Sequence, residues 1–285
     1  MSMIRLLIVT LAVGSLGMMG ISCTTMPVDT QADDAASADA GSGGVGTLYY
    51  ARTDGAVAGI NVETGDEVDV LSASLFTGAN PGFGRGIAFD PVTRLMWYSA
   101  TDGQLHSVNV DTEEAGPDIT GIGGANVGAG RHVYIDYARQ QILTPITDGS
   151  IQIYNMSDQD LVGEIPATFF TDGNVGALRH LASDIRSGNI WYAATDGSFR
   201  EMDPVTLTET GRRILFSEQT GADPGAFRHF VVDAERDLLL YAVTDGSVAS
   251  VDLTTLEAAS FTISSATFSG ADPGAGRTIT YDPPE

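Results

Sequence analysis

The sequence predicts an all-β chain folded as a five-bladed β-propeller with four antiparallel strands per blade, and three observations carry that prediction. A Thr-Asp-Gly triplet recurs in register, starting at Thr53, Thr101, Thr147, Thr195 and Thr244, in steps of 48, 46, 48 and 49 residues. An Arg recurs at Arg85, Arg131, Arg179, Arg228 and Arg277, in steps of 46, 48, 49 and 49, so two independent markers keep one period. Between the markers lie short apolar runs separated by turn residues, with no helical periodicity. Units of about 40–50 residues with four strands each are the signature of propeller blades.

In chain order, residues 1–22 read as a secretion signal: Arg5 supplies the positive region and Leu6 to Ile21 an apolar stretch too short to span a membrane comfortably. Residues 23–46 follow as Cys23 and a tether. From Thr24 to Gly46 the chain is rich in Ala, Asp, Ser, Thr and Gly and has almost nothing to bury, so it is expected to be disordered. A flexible coil of that length reaches roughly 25 Å.

The propeller is expected over residues 47–285. Leu48 to Thr53 is a β-type run, Asp54-Gly55 a tight turn, and Val57 to Val62 a second run. Asp-Gly between strand-like segments is a strong hairpin signal because Gly accepts the positive φ at the turn. The device returns with Met96 to Thr101 and Leu105 to Val110, Ile142 to Thr147 and Ile151 to Met156, Ile190 to Thr195 and Phe199 to Met202, and Leu239 to Thr244 and Val248 to Leu253. An apolar run ending in Asp precedes each later hairpin, as in Ile87 to Asp90 and Phe230 to Asp233, and a more variable outer strand follows, as in Leu161 to Ile165 and Ala258 to Ile263. The first hairpin lacks an inner strand and the last unit stops after one, at Arg277 to Asp282. Joined, they complete a fifth blade, and the N- and C-terminal strands that share it close the ring and its open edges. Pro145 lies within a strand and removes a ladder donor, so a local distortion is expected there.

At this level of repeat length and strand order, Gly221 to Val243 resembles the layout of tachylectin-type propeller lectins, and the resemblance spans residues 47–285. The broad YVTN and NHL propeller families look similar in their alternation of Asp, turn and strand. The resemblance implies a five-bladed fold. The lectin's repeated Trp is missing, with Pro81, Val127, Val175, Pro224 and Pro273 near its place, so its sugar contacts do not carry over. Gly20-Ile21-Ser22-Cys23 resembles a bacterial lipobox, which implies that Cys23 is lipidated; Gly20 departs from the aliphatic residue usual there. The implied location is extracytoplasmic, anchored to a bacterial membrane by lipid alone, with free secretion as the alternative.

Composition narrows the partners. All 14 basic residues are Arg, against 37 acids, which speaks against nucleic acid or an anionic membrane surface. A lone Cys excludes an intramolecular disulfide and multi-Cys metal sites. There is no Gly-x-Ser-x-Gly elbow, phosphate loop or His-Glu-x-x-His motif.

In a four-stranded blade the connection entering the first strand and the turn between the second and third strands emerge on one face. Ligand-binding candidates on that face are Arg85, Arg131, Arg179, Arg228 and Arg277, together with Asn80, Asn126, Asn174, Asp223 and Asp272. Arg, Asn, Asp and backbone groups suit hydroxyl- or carboxylate-bearing ligands; equally, each Arg can lock blade to blade and each triplet Asp can simply cap its turn. His132, His180 and His229 follow the Arg in three blades, where Gly86 and Thr278 stand in the other two. Either these imidazoles converge in the channel on a divalent metal, or they pack between blades.

Three functions fit. The first is a surface-tethered recognition module, expected as a monomer, that binds a glycan or another cell-surface ligand at repeated sites. The second is a protein-interaction or envelope scaffold. The third is a metal-dependent lyase or hydrolase at the channel mouth.

Overall fold

The computed structural model describes residues 46–78, 86–122, 132–170, 180–194, 196–215, 229–243, 245–270 and 278–283. They form five antiparallel sheets in a ring. The first blade pairs β19 (Ile279–Asp282) with β1 (Thr47–Ala51), β2 (Val57–Asn61) and β3 (Glu67–Leu71), so the two chain ends share one sheet as the sequence predicts. The second holds β4 (Ile87–Asp90), β5 (Leu95–Ser99) and β6 (Leu105–Asn109). The third is β7 (Tyr134–Asp136), β8 (Gln141–Pro145), β9 (Ile151–Asn155) and β10 (Leu161–Ile165). The fourth is β11 (Leu181–Ser183), β12 (Ile190–Ala193), β13 (Ser198–Asp203) and β14 (Thr208–Leu215), and the fifth β15 (Phe230–Asp233), β16 (Leu238–Ala242), β17 (Val248–Asp252) and β18 (Ala258–Ile263).

In the second blade the outer strand is reduced to two isolated bridges, Leu105 with Ile119 and Val108 with Ala115. Pro117 lies between them and has no N–H for a ladder.

The inner strands β4, β7, β11, β15 and β19 contact one another in sequence and close the circle around the channel. They line a pocket of about 30 Å³, bordered among others by Ile87, Tyr134, Leu181, Val231 and Ile279, with room for a water or two. The core lies between sheets. Each neighbouring pair of blades shares one apolar cluster, including the pair that joins the last blade to the first through Leu48, Tyr50, Ile60, Leu240, Val248 and Tyr281. Trp97, Trp191, Tyr192 and Tyr241 are fully buried in these seams, where they pack between neighbouring sheets.

Turn chemistry fixes the opposite face. Asn61, Asn109, Asp203 and Asp252 close the third strands by accepting backbone N–H groups two and three residues on, as at Asp252, where those of Thr254 and Thr255 lie at 2.7 and 2.9 Å, and Asn155 accepts both the N–H and the hydroxyl of Ser157. The residue four positions after each takes positive φ: Gly65 (74°), Glu113 (57°), Gln159 (61°), Leu207 (52°) and Leu256 (61°).

Pro145 produces a local change of pairing. In the other four blades the equivalent residue donates its N–H to the carbonyl just before the inner strand: Ala51 to Thr278, Ser99 to Gly86, Ala193 to His180 and Ala242 to His229. Pro145 has no such donor. The hydroxyl of Thr144 takes over, donating to the His132 carbonyl at 3.3 Å, and the ladder of β7 with β8 begins only at Tyr134 and Leu143, one pair later than in the other blades.

Candidate functional site at the loop end of the channel

The Thr-Asp-Gly turns and the starts of the inner strands share one end of the ring, as the bonds from Ala51, Ser99, Ala193 and Ala242 require. At this rim each triplet Asp caps its own turn. Asp54, Asp102, Asp148, Asp196 and Asp245 accept the backbone N–H two residues on at 3.0, 2.9, 2.8, 3.0 and 2.8 Å. The glycines that follow sit at φ between 80° and 92°, the left-handed region that a side chain opposes. Thr53 and Thr101 donate their hydroxyls to the carbonyls of Gly270 and Gly78, both at 2.9 Å, tying each hairpin to the connection that leaves the preceding blade. The triplet is therefore a scaffold device first.

Asp196 is also held by ion pairs with Arg200 at 2.7 Å and Arg213 at 2.5 Å. Partial burial works against its charge, but the Ser198 hydroxyl and Arg200 outweigh it and lower the carboxyl to about 2. The ligand candidates Arg85, Arg131, Arg179, Arg228, Arg277, Asn80, Asn126, Asn174, Asp223 and Asp272 lie outside the described residues, as do Cys23 and the tether up to residue 45; Gly46 is described, buried, and accepts the Val62 N–H at 3.1 Å.

The structure does bring His132, His180 and His229 together. Their ring centroids are 4.5 Å apart for His132 and His180, 4.7 Å for His132 and His229, and 4.2 Å for His180 and His229. One nitrogen from each lies within 4.8 Å of the others, and the residues are only 2, 2 and 4% exposed. The rings thus face one another on the channel axis, and they do not disperse into the seams between blades.

Two hydroxyls flank the cluster: Tyr134 Oη lies 3.2 Å from His180 Nδ1, and Thr278 Oγ1 3.3 Å from His229 Nε2. Both nitrogens of His132 and Nε2 of His180 are buried without a partner among the described residues. Burial lowers the pKa of His132 to about 4. It lowers those of His180 and His229 well below the usual imidazole value, with the neighbouring rings adding to the effect. All three are therefore neutral at pH 7. Burial likewise raises the Tyr134 hydroxyl far up, only partly offset by a hydrogen bond from the Leu181 backbone.

A fourth imidazole, which the sequence pattern does not single out, stands on the same rim. His106 bridges two carboxylates, with Nδ1 at 2.8 Å from Asp118 and Nε2 at 3.1 Å from Asp102. Partial burial disfavours its charge, but the two carboxylates prevail and raise its pKa. His106 follows Asp102 by four residues, a visible spacing; Asp118 comes from the irregular outer segment of the blade, which no repeat marker locates. No protein-family model matches the chain, and no curated protein does.

Proposed function

We propose that the protein is an extracytoplasmic recognition module, tethered through Cys23, that binds a glycan or another small ligand on the loop end of the propeller. A closed propeller is compatible with ligand or protein recognition. The observation that carries the finer reading is the repetition of one turn geometry on one rim in all five blades. Because those aspartates already cap their turns, the ligand is read by the neighbouring Gly-rich segments with their Arg and Asn or Asp residues. Repeated sites of this kind bind weakly one by one and gain strength by avidity.

Calorimetric titration of the full chain with mono- and oligosaccharides tests this. Several equivalent weak sites, reduced in number by Arg228→Ala, are expected. If no sugar or small acid gives a saturable signal while the protein captures a defined protein partner, the scaffold reading replaces it. A second reading, a metal-dependent lyase or hydrolase at the channel mouth, is favoured by the convergence of His132, His180 and His229. It demands turnover that disappears with any one of the three.

A further inference from the structure

We infer that His132, His180 and His229 form a binding site for a single transition-metal ion of borderline softness, such as Zn²⁺, Co²⁺, Ni²⁺ or Cu²⁺, on the propeller axis. This site is distinct from the repeated rim and does not depend on it.

The geometry fits such an ion after small ring rotations. Nitrogens within 4.8 Å of one another lie at most about 2.8 Å from a common centre, whereas imidazole binds zinc at about 2.0–2.1 Å. Each donor therefore moves by less than about 1 Å. Three neutral imidazoles suit these ions and not Ca²⁺ or Mg²⁺, which require oxygen ligands. Burial already keeps the rings in the neutral form that coordinates.

The two flanking hydroxyls complete the arrangement. If His180 donates its Nδ1–H to Tyr134 Oη and His229 its Nε2–H to Thr278 Oγ1, the lone pairs of His180 Nε2 and His229 Nδ1 are free for the metal. His132 has neither nitrogen committed among the described residues. Three protein ligands leave a coordination position unfilled, the pattern of sites that also hold water or a ligand. Gly86, at the fifth equivalent ring position, brings no side chain to fill it.

The test uses the full chain, stripped with a chelator and titrated with Co²⁺ and Zn²⁺, with Ca²⁺ and Mg²⁺ as controls. One Co²⁺ per chain with a d–d absorption spectrum of low coordination number is expected, with displacement by Zn²⁺ and no effect of the hard ions. His180→Ala should lose stoichiometric binding, and His106→Ala, which removes the carboxylate-paired imidazole on the rim, should keep it. Tyr134→Phe keeps the ligands but loses the outer hydrogen bond, so its affinity should fall about 10–100-fold. Folded wild type that takes up neither ion overturns the proposal, as does binding that survives His180→Ala. Should that variant not fold, X-ray absorption of the zinc-loaded wild type decides: three imidazoles around the ion are expected, and one or none refutes the site.

Discussion

Acid should destabilise the metal-free protein through its buried imidazoles, and His132→Thr should blunt that sensitivity. Thr is the natural replacement because Thr278 holds the equivalent place in the closing blade. Burial lowers His132 to about 4 in the folded chain, while an imidazole in the unfolded chain titrates near about 6.5. The folded value lies below the unfolded one. The unfolded chain therefore binds more protons than the folded one once the pH drops under about 6.5, and stability is complete above that pH and lost below it.

Each pH unit in that window removes about 1.4 kcal/mol, so lowering the pH from about 7.5 to about 5 should cost about 2 kcal/mol through His132 alone. His180 and His229, held lower still by burial and then by their neighbours, steepen the loss in the wild type. Urea unfolding of both proteins at the two pH values, with chelator present, measures the difference. The wild type should lose about 2 kcal/mol more than the variant on acidification. Equal losses would refute the reasoning, because they would mean that the imidazoles take up protons as readily in the folded state as in the unfolded one.

The other predictions concern the scaffold. Leu207 holds a positive φ of 52° where the first blade uses Gly65, so Leu207→Gly should raise stability by about 1 kcal/mol in urea unfolding. Glu201 is 1% exposed and paired with Arg212 at 2.7 Å; Arg212→Ala leaves that carboxylate buried with only the Thr210 hydroxyl, and should lower stability by about 3 kcal/mol. His106 should titrate above the ordinary imidazole value by NMR, and Asp118→Asn should bring it down. Its folded pKa is raised, so its stabilising pairs are complete below about 6.5 and fade as pH rises through the folded value. Truncation before Ile279 removes β19 and with it Ile279 and Tyr281 from the seam between the last and first blades. The shortened chain should lose its cooperative thermal transition.

The fold was legible because its grammar is local. Asp-Gly at a fixed period announces a hairpin whatever the rest of the blade does, and the unmatched inner and outer pieces at the chain ends leave one way to close the ring. Pro145 was legible as a disturbance but not in its form, since the rescue by Thr144 depends on where the His132 carbonyl points. The left-handed positions at Glu113, Gln159, Leu207 and Leu256 were hidden because none of these residues favours that conformation, and only Gly65 hints at it. Asp118 was hidden for a similar reason: it reaches His106 from a segment whose regular strand is missing.

Sequence alone left the histidines undecided because a residue at the mouth of a strand can turn inward or into the seam between sheets. Ring closure settles the direction, since five inner strands that start on one small circle bring equivalent residues together. The same circle supplies its own control. Gly86 and Thr278 occupy two of the five equivalent positions, so the inner strands close without an imidazole there. A buried polar atom left without a partner costs about 1–3 kcal/mol, and the cluster holds three such nitrogens among the described residues. Scaffold requirements explain the Thr-Asp-Gly turns, which recur in every blade, but they give no reason to gather imidazoles from three adjacent blades on the axis. A bound ion would turn that penalty into coordination energy, and this makes the axis, more than the repeated rim, the place where the chain departs from what its architecture alone needs.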